Sequence, residues 1–209
     1  MIAYKAVYKD MSSSFGNHPV YELGKTYSFP AAQRGAAGFH AAEDPLFCLG
    51  FIPPDRGRYF KVDLQGDLDP SGCEGYDTAT AATSITFLEE LSVEQMLWAS
   101  LQYRLAWAKK SPTQRNERNM QISSKKGQTL ETGYHRAVAV ANKEGCTAKA
   151  VSSDSLAIAE GAGTRAEAIG HGRLAVAYGQ EPELKISGGA WGLRIIPDAP
   201  AGQQVKTIH

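Results

Sequence analysis

Along this 209-residue chain the spacing of hydrophobic positions changes twice. Up to residue 91, short apolar runs alternate with turn residues: Ile2–Tyr8, Val20–Leu23, Tyr27–Phe29, Tyr59–Leu64 and Ser84–Leu88. Between them lie clusters such as Phe51-Ile52-Pro53-Pro54 and Asp69-Pro70-Ser71-Gly72. Runs of this length bounded by Gly and Pro predict strands, with a short helix near Ala41–Leu49. From residue 92 the period lengthens. Ser92-Val93-Glu94-Gln95 fits a capping box, and Val93, Leu97, Leu101, Leu105 and Ala108 recur every three or four residues. They predict a helix over 92–109, with Lys109 and Lys110 at its negative end and Pro112 beyond it.

The period then becomes nine. Small residues recur in pairs at Ala139/Ala141, Ala148/Ala150, Ala157/Ala159, Ala166/Ala168 and Ala175/Ala177, and the register extends back to Leu130/Thr132 and on to Leu184/Ile186 and Leu193/Ile195. Gly161, Gly170, Gly179 and Gly188 keep the same phase. Residues i and i+2 face one side of a strand, so each Ala pair points inward, and only so small a side chain lets two sheets come that close. The residues around the pairs alternate with a period of eighteen. Val138, Val140, Leu156, Ile158, Leu174 and Val176 are aliphatic, whereas Lys149, Arg165, Glu167, Glu183 and Lys185 are charged. Two nonapeptide strands therefore make one coil of a parallel β-solenoid. Its aliphatic outer face needs a cover: the 92–109 helix, the N-terminal domain, or a second subunit in a symmetric dimer.

The fold class that follows is mainly β (α+β). It comprises a small mixed N-terminal domain over 1–91, an amphipathic helix with a basic linker over 92–128, the solenoid over 129–197 and a tail over 198–209. Composition adds polarity. Residues 1–92 carry 7 basic and 12 acidic side chains and residues 93–209 carry 15 and 10, a split that suits head-to-tail association or docking of one half on the other. Seven basic residues against one acid between Arg104 and Lys126 suggest an anionic contact, but no aromatic is interleaved for base stacking. A solvated linker is the preferred reading and nucleic acid is not an expected partner. Cys48, Cys73 and Cys146 are odd in number and widely spaced, which predicts free thiols in a cytoplasmic protein. No apolar run reaches membrane-spanning length, and the first ten residues lack a signal-peptide core.

Chemistry is harder to find. His18, His135, His171 and His209 have no metal-ligand spacing. Neither a phosphate-binding G-x-x-x-x-G-K-[ST] nor a nucleophile elbow occurs, and the solenoid turns offer only Asp154 against the recurrent Asp of calcium-binding rolls. No cofactor is expected. His40 is the strongest catalytic candidate, as a general base beside Tyr4 and Glu43. A His that fixes a turn ahead of a helix start at Glu43-Asp44 is the simpler explanation.

Several segments resemble an uncharacterised family of phage and prophage proteins. They are Ala3-Tyr4-Lys5-Ala6, Tyr21-Glu22-Leu23-Gly24-Lys25-Thr26-Tyr27, Gly38-Phe39-His40-Ala41, and Arg58-Tyr59-Phe60-Lys61-Val62 with Gly66. Members often continue into an Ala- and Gly-rich repeat tail. The resemblance implies a viral or prophage origin and no reaction. Tyr4, His40 and Glu43 also loosely resemble the site of ADP-ribosyltransferase-like folds. The expected function is thus a phage accessory protein that binds a host protein such as a defence complex, the aliphatic solenoid face being the expected interaction surface. The alternatives are an ADP-ribosyltransferase-like enzyme and a structural component of the virion.

Overall fold

The computed structural model describes residues 1–14, 19–71, 78–110, 120–123, 125–133, 137–200 and 203–209. The chain divides into two compact units, Met1–Ser100 and Leu101–His209. The described residues are mostly β, with two helices among them: a small mixed N-terminal domain followed by a parallel β-solenoid.

The first unit contains β1 (Ile2–Tyr8), β2 (Thr26–Ser28), β3 (Phe39–Ala42), α1 (Pro45–Phe51), β4 (Gly57–Asp69) and β5 (Ala79–Leu91). All its pairings are antiparallel. The long strands β4 and β5 pair with each other, β1 adds to β4 with Lys5 opposite Phe60, and β3 adds to β5 with His40 opposite Ala81. A single pairing, Tyr4 with Ala42, joins β1 to β3 and closes the sheet into a ring. Its interior is filled by aromatic rings. Phe87 stacks on Tyr21 at 4.5 Å and meets Phe60 edge-on at 5.3 Å. Such pairs contribute about 0.5–1.5 kcal/mol each beyond the area they bury.

Two expectations for this unit change. The helix near Ala41–Leu49 starts only at Pro45, because Ala41 and Ala42 belong to β3 and pair with Thr80 and Ala79. The start is fixed by Asp44, whose carboxylate accepts the Leu46 N–H at 3.0 Å, and by the Pro that follows it. Val20–Leu23 forms no strand. Tyr21 is drawn into the aromatic core while Val20 and Leu23 stay exposed, and the Tyr21 N–H donates to the Met11 carbonyl.

Helix α2 (Val93–Lys110) begins in the first unit and ends in the second. The capping box forms in both directions: Gln95 N–H donates to Ser92 Oγ at 3.1 Å, and Ser92 N–H to Gln95 Oε1 at 2.7 Å. The helix buries Met96, Leu97, Ser100, Leu101 and Arg104. Of the expected stripe, Leu97 and Leu101 are buried while Val93 and Leu105 are half-buried. Ser100 donates to the Asp44 carboxylate at 2.5 Å. Arg104, read from sequence as part of a solvated basic segment, is internal. Its Nη1 donates to the carbonyls of Asp154, Ser155 and Gly172 at 2.7–3.3 Å. Pro112, Arg115, Glu117 and Arg118 of that segment lie outside the described residues.

The solenoid has two sheets. One contains β6 (Met120–Ser123), β8 (Val138–Ala141), β10 (Leu156–Glu160), β12 (Leu174–Tyr178), β14 (Trp191–Ile195) and β15 (Val205–Ile208). The other contains β7 (Thr129–Glu131), β9 (Thr147–Ala150), β11 (Arg165–Ile169) and β13 (Glu183–Ser187). Successive coils stack in parallel, Leu156 opposite Leu174 and Arg165 opposite Glu183, so one coil takes a strand from each sheet. The paired alanines form a single buried cluster between the sheets. The turns are as tight as the core. A Cβ on Gly179 would fall 2.3 Å from the Gly161 carbonyl oxygen of the neighbouring coil, and its φ of +139° lies in a region that only Gly occupies readily.

The ends differ from the repeat. At the start, β6 adds a strand before the first expected one at Leu130, with Met120 opposite Val138. At the finish, β14 slips by one residue. Trp191 stands opposite Leu174 and Gly192 opposite Ala175, so Gly192 and Arg194 occupy the Ala positions, not Leu193 and Ile195. The shift is accommodated where Gly192 faces Leu184 and Ile186, because a Cβ there would lie within 2.5–3.0 Å of their side chains. Trp191–Ile195 therefore continues the stack. The cap is β15, which pairs antiparallel with β14.

Candidate functional site

Two of the three polar groups that sequence reasoning singled out border one cleft of about 570 Å³ in the first unit. Alternation along β1 sends Ala3 and Val7 into the aromatic core and leaves Tyr4 on the opposite side. The cleft is bordered by Tyr4 from β1, His40 from β3, Arg34 from the loop before it, and Phe47, Cys48 and Phe51 from α1. Glu43 is exposed, its N–H donates to the Thr78 carbonyl, and it is not part of the cleft wall. The structure thus brings Tyr4 and His40 to one cavity and leaves Glu43 outside it.

His40 is held by its neighbours. The Gly35 N–H donates to its Nε2 at 3.0 Å, so that nitrogen acts as an acceptor. Gly38, at φ +84°, lets the loop lie against β5, where a Cβ would stand 2.7 Å from the Ala82 carbonyl oxygen. The His40 carbonyl accepts from Lys5 Nζ at 2.8 Å. Lys5 is only 6% exposed and its ammonium lies 5.7 Å from the centre of the Tyr21 ring. Burial lowers the Lys5 ammonium to about 8.

The possible nucleophiles are shifted away from reactivity. The Cys48 thiol donates to the Tyr4 carbonyl at 3.1 Å, and burial pushes it up to about 12 against the pull of Lys5. The Tyr4 phenol is also raised, first by burial and then by Asp44 and Cys48. At the far wall the Arg34 backbone N–H donates to the Asp69 carboxylate and its guanidinium to the Ser71 carbonyl, both at 2.7 Å. Hydrogen bonds from Ser71, then from the Arg34 N–H, hold Asp69 down to about 2. The apolar part of the wall is aromatic. Phe47 and Phe51 meet edge-on at 4.9 Å, and Phe51 remains 66% exposed.

The expected interaction face of the solenoid forms a continuous double row, with Val138, Leu156 and Leu174 in one register and Val140, Ile158 and Val176 in the other. Val138, Leu156, Leu174 and Val176 are buried within the chain, and Val140 and Ile158 are half-buried. At the end of this face the His209 ring stacks on Trp191 at 4.0 Å. The opposite face carries charged side chains stacked in register, Lys149, Glu167 and Lys185 in one column and Arg165 and Glu183 in the other. Lys149 pairs with Glu131 at 3.1 Å and Glu167 at 4.0 Å, and Arg165 with Glu167 at 3.1 Å and Glu183 at 3.4 Å.

Cys146 is buried and donates to the Lys125 carbonyl at 2.8 Å. Cys73, His18 and His135 lie outside the described residues. Among the described residues no cluster of three or more His, Cys, Asp or Glu side chains is placed to hold a metal ion. No helix among them is long and apolar enough to cross a membrane.

Residues 1–99 match the model of a family described as a domain of unknown function (DUF7666). The matched span takes in the closed sheet, α1 and every residue of the cleft wall. No curated protein and no solved structure matches the chain.

Proposed function

We propose that this is a phage or prophage accessory protein that works in the bacterial cytoplasm by binding a host protein or complex, a defence complex being the class of target its origin suggests. The supporting observation is Phe51, two-thirds exposed against Phe47 at the mouth of a mainly apolar cleft. An aromatic pair left in water beside a cavity suits an anchor for a partner's side chain. The raised Cys48 thiol and Tyr4 phenol favour binding over nucleophilic chemistry. The test is capture from host lysate by wild-type chain, Phe51→Ala and His40→Ala. A specific partner retained by wild type and His40→Ala and lost by Phe51→Ala is the expected result. A partner held equally by Phe51→Ala would overturn the anchor, and recovery of the chain only inside purified particles would make it a virion component.

The second reading is an ADP-ribosyltransferase-like activity, favoured by Tyr4 and His40 sharing one cleft. Transfer of labelled ADP-ribose from NAD to a lysate protein, abolished by His40→Ala, is its signature.

A further inference from the structure

The two sheets of the solenoid stop at different heights. In the six-stranded sheet, β14 is covered by the antiparallel β15. In the four-stranded sheet β13 is the last strand and no described strand pairs with its outer edge; just before it the Pro182 carbonyl accepts from Arg194 Nε at 2.7 Å. The direction of the backbone groups at that edge follows from the coils beneath it. Thr147 N–H donates to Gln128, Arg165 N–H to Cys146 and Glu183 N–H to Thr164. Odd-numbered residues in this sheet therefore bond back toward the preceding coil. In a parallel ladder the alternate residues bond the other way, so the N–H and C=O of Leu184 and Ile186 point out of the open edge. Their side chains sit in the Ala column but are only half-buried, whereas Ala166 and Ala168 below them are fully buried.

Beside this edge is a notch of about 310 Å³, bordered by Pro182, Leu184, Lys185, Arg194 and Ile208. A strand added to this edge would lie about 4.7–4.9 Å from β13, beside a notch whose wall also includes Arg165 and Glu183. On the other sheet β14 and β15 continue past the level of β13, so the two sheets do not end flush.

We infer that the open edge of β13 captures an extended segment of a partner protein as a fifth, parallel strand. The charge ladder specifies its sequence. One outer column runs Thr147, Arg165, Glu183 and the other Glu131, Lys149, Glu167, Lys185, with signs alternating from coil to coil. The next rung is therefore basic beside Glu183 and acidic beside Lys185, with apolar residues beside Leu184 and Ile186 closing the end of the core. The segment reads basic–apolar–acidic–apolar.

The test uses the full-length protein and two peptides, acetyl-Thr-Lys-Leu-Glu-Ile-Thr-amide and its charge-exchanged form acetyl-Thr-Glu-Leu-Lys-Ile-Thr-amide. The first is expected to shift the Leu184 and Ile186 amide resonances and to bind at least fivefold more tightly than the second. Glu183→Lys with Lys185→Glu is expected to reverse the preference. Equal or opposite preference by the wild-type chain, or binding of neither peptide, overturns the proposal. So does amide exchange at Leu184 in the free protein as slow as at Leu156, since the edge would then already be covered by this chain or a second copy. Phe51→Ala leaves peptide binding unchanged, so failure here and failure of the cleft reading are separable.

Discussion

The N-terminal closed sheet and the solenoid both bury a β core, and they fill it in opposite ways. The closed sheet is filled by a few large rings, Tyr21, Phe39, Phe60 and Phe87. The solenoid holds a column of alanines with Cys146 among them, and larger aliphatic side chains pack against it at the two ends, Leu130 at one and Leu184 and Ile186 at the other. The first kind of core gains its stability from the area of a few side chains. The second gains it from backbone ladders that close only because the side chains are small. Truncation should therefore damage the first and enlargement the second.

The largest expected effect is on the aromatic core. Phe87→Ala removes the ring shared by Tyr21, Tyr27 and Phe60 and should destabilise the first unit by about 3–5 kcal/mol, measured by denaturant unfolding with amide exchange in β5. Ala157→Leu, in the middle of the Ala column, should cost about 1–3 kcal/mol or more by overpacking, with exchange in β10 as the readout. An unchanged β10 would mean that the Ala pairs are not what sets the sheet separation.

A pH scan sharpens the contrast further, because Lys5 is a cation inside the aromatic unit. Its ammonium sits at about 8, below its ordinary 10.5. Between those values the unfolded chain holds a proton that the folded chain has lost, so stability rises with pH. Cys48 acts the other way. Its thiol is raised from 9.0 to about 12, so stability falls as pH climbs through that window. A rise of up to about 1.4 kcal/mol from pH 8 to 9, followed by levelling, is expected. Cys48→Ala should extend the rise only to about 10, where the raised Tyr21 phenol begins to pull stability down, and Lys5→Met should abolish the rise. The smallest effect belongs to the solenoid surface. Lys149→Ala breaks the ladder between Glu131 and Glu167 and should cost less than about 1 kcal/mol, the loss shrinking in high salt.

The solenoid was legible because its constraint is local and repeated: every ninth residue meets the same crowded environment. The capping box at Ser92 and Gln95 was legible for the same reason, since both partners lie within one turn. The ring closure of the first unit was not. It rests on Tyr4 meeting Ala42 across nearly forty residues, and Phe39-His40-Ala41-Ala42 is too short to show a period. The slip at β14 was hidden because Leu193 and Ile195 are apolar in either register, and only Gly192, facing Leu184, signals which one holds. Arg104 was misread because a charge in a basic stretch looks solvated. Its role depends on three carbonyls at turns 50 to 68 residues away. As for the candidate site, sequence found Tyr4 and His40 but not Arg34, Phe47 or Phe51, whose shared cavity exists only once the sheet closes.

The alternating column Glu131, Lys149, Glu167, Lys185 limits how such a rod can lengthen by gene duplication. Its backbone repeats every coil, but its charges repeat only every second coil. Copying one eighteen-residue unit would place like charges on adjacent rungs, while copying two would restore the alternation. Viable length variants should then arise in steps of two coils, each step moving the ends apart by roughly 9–10 Å.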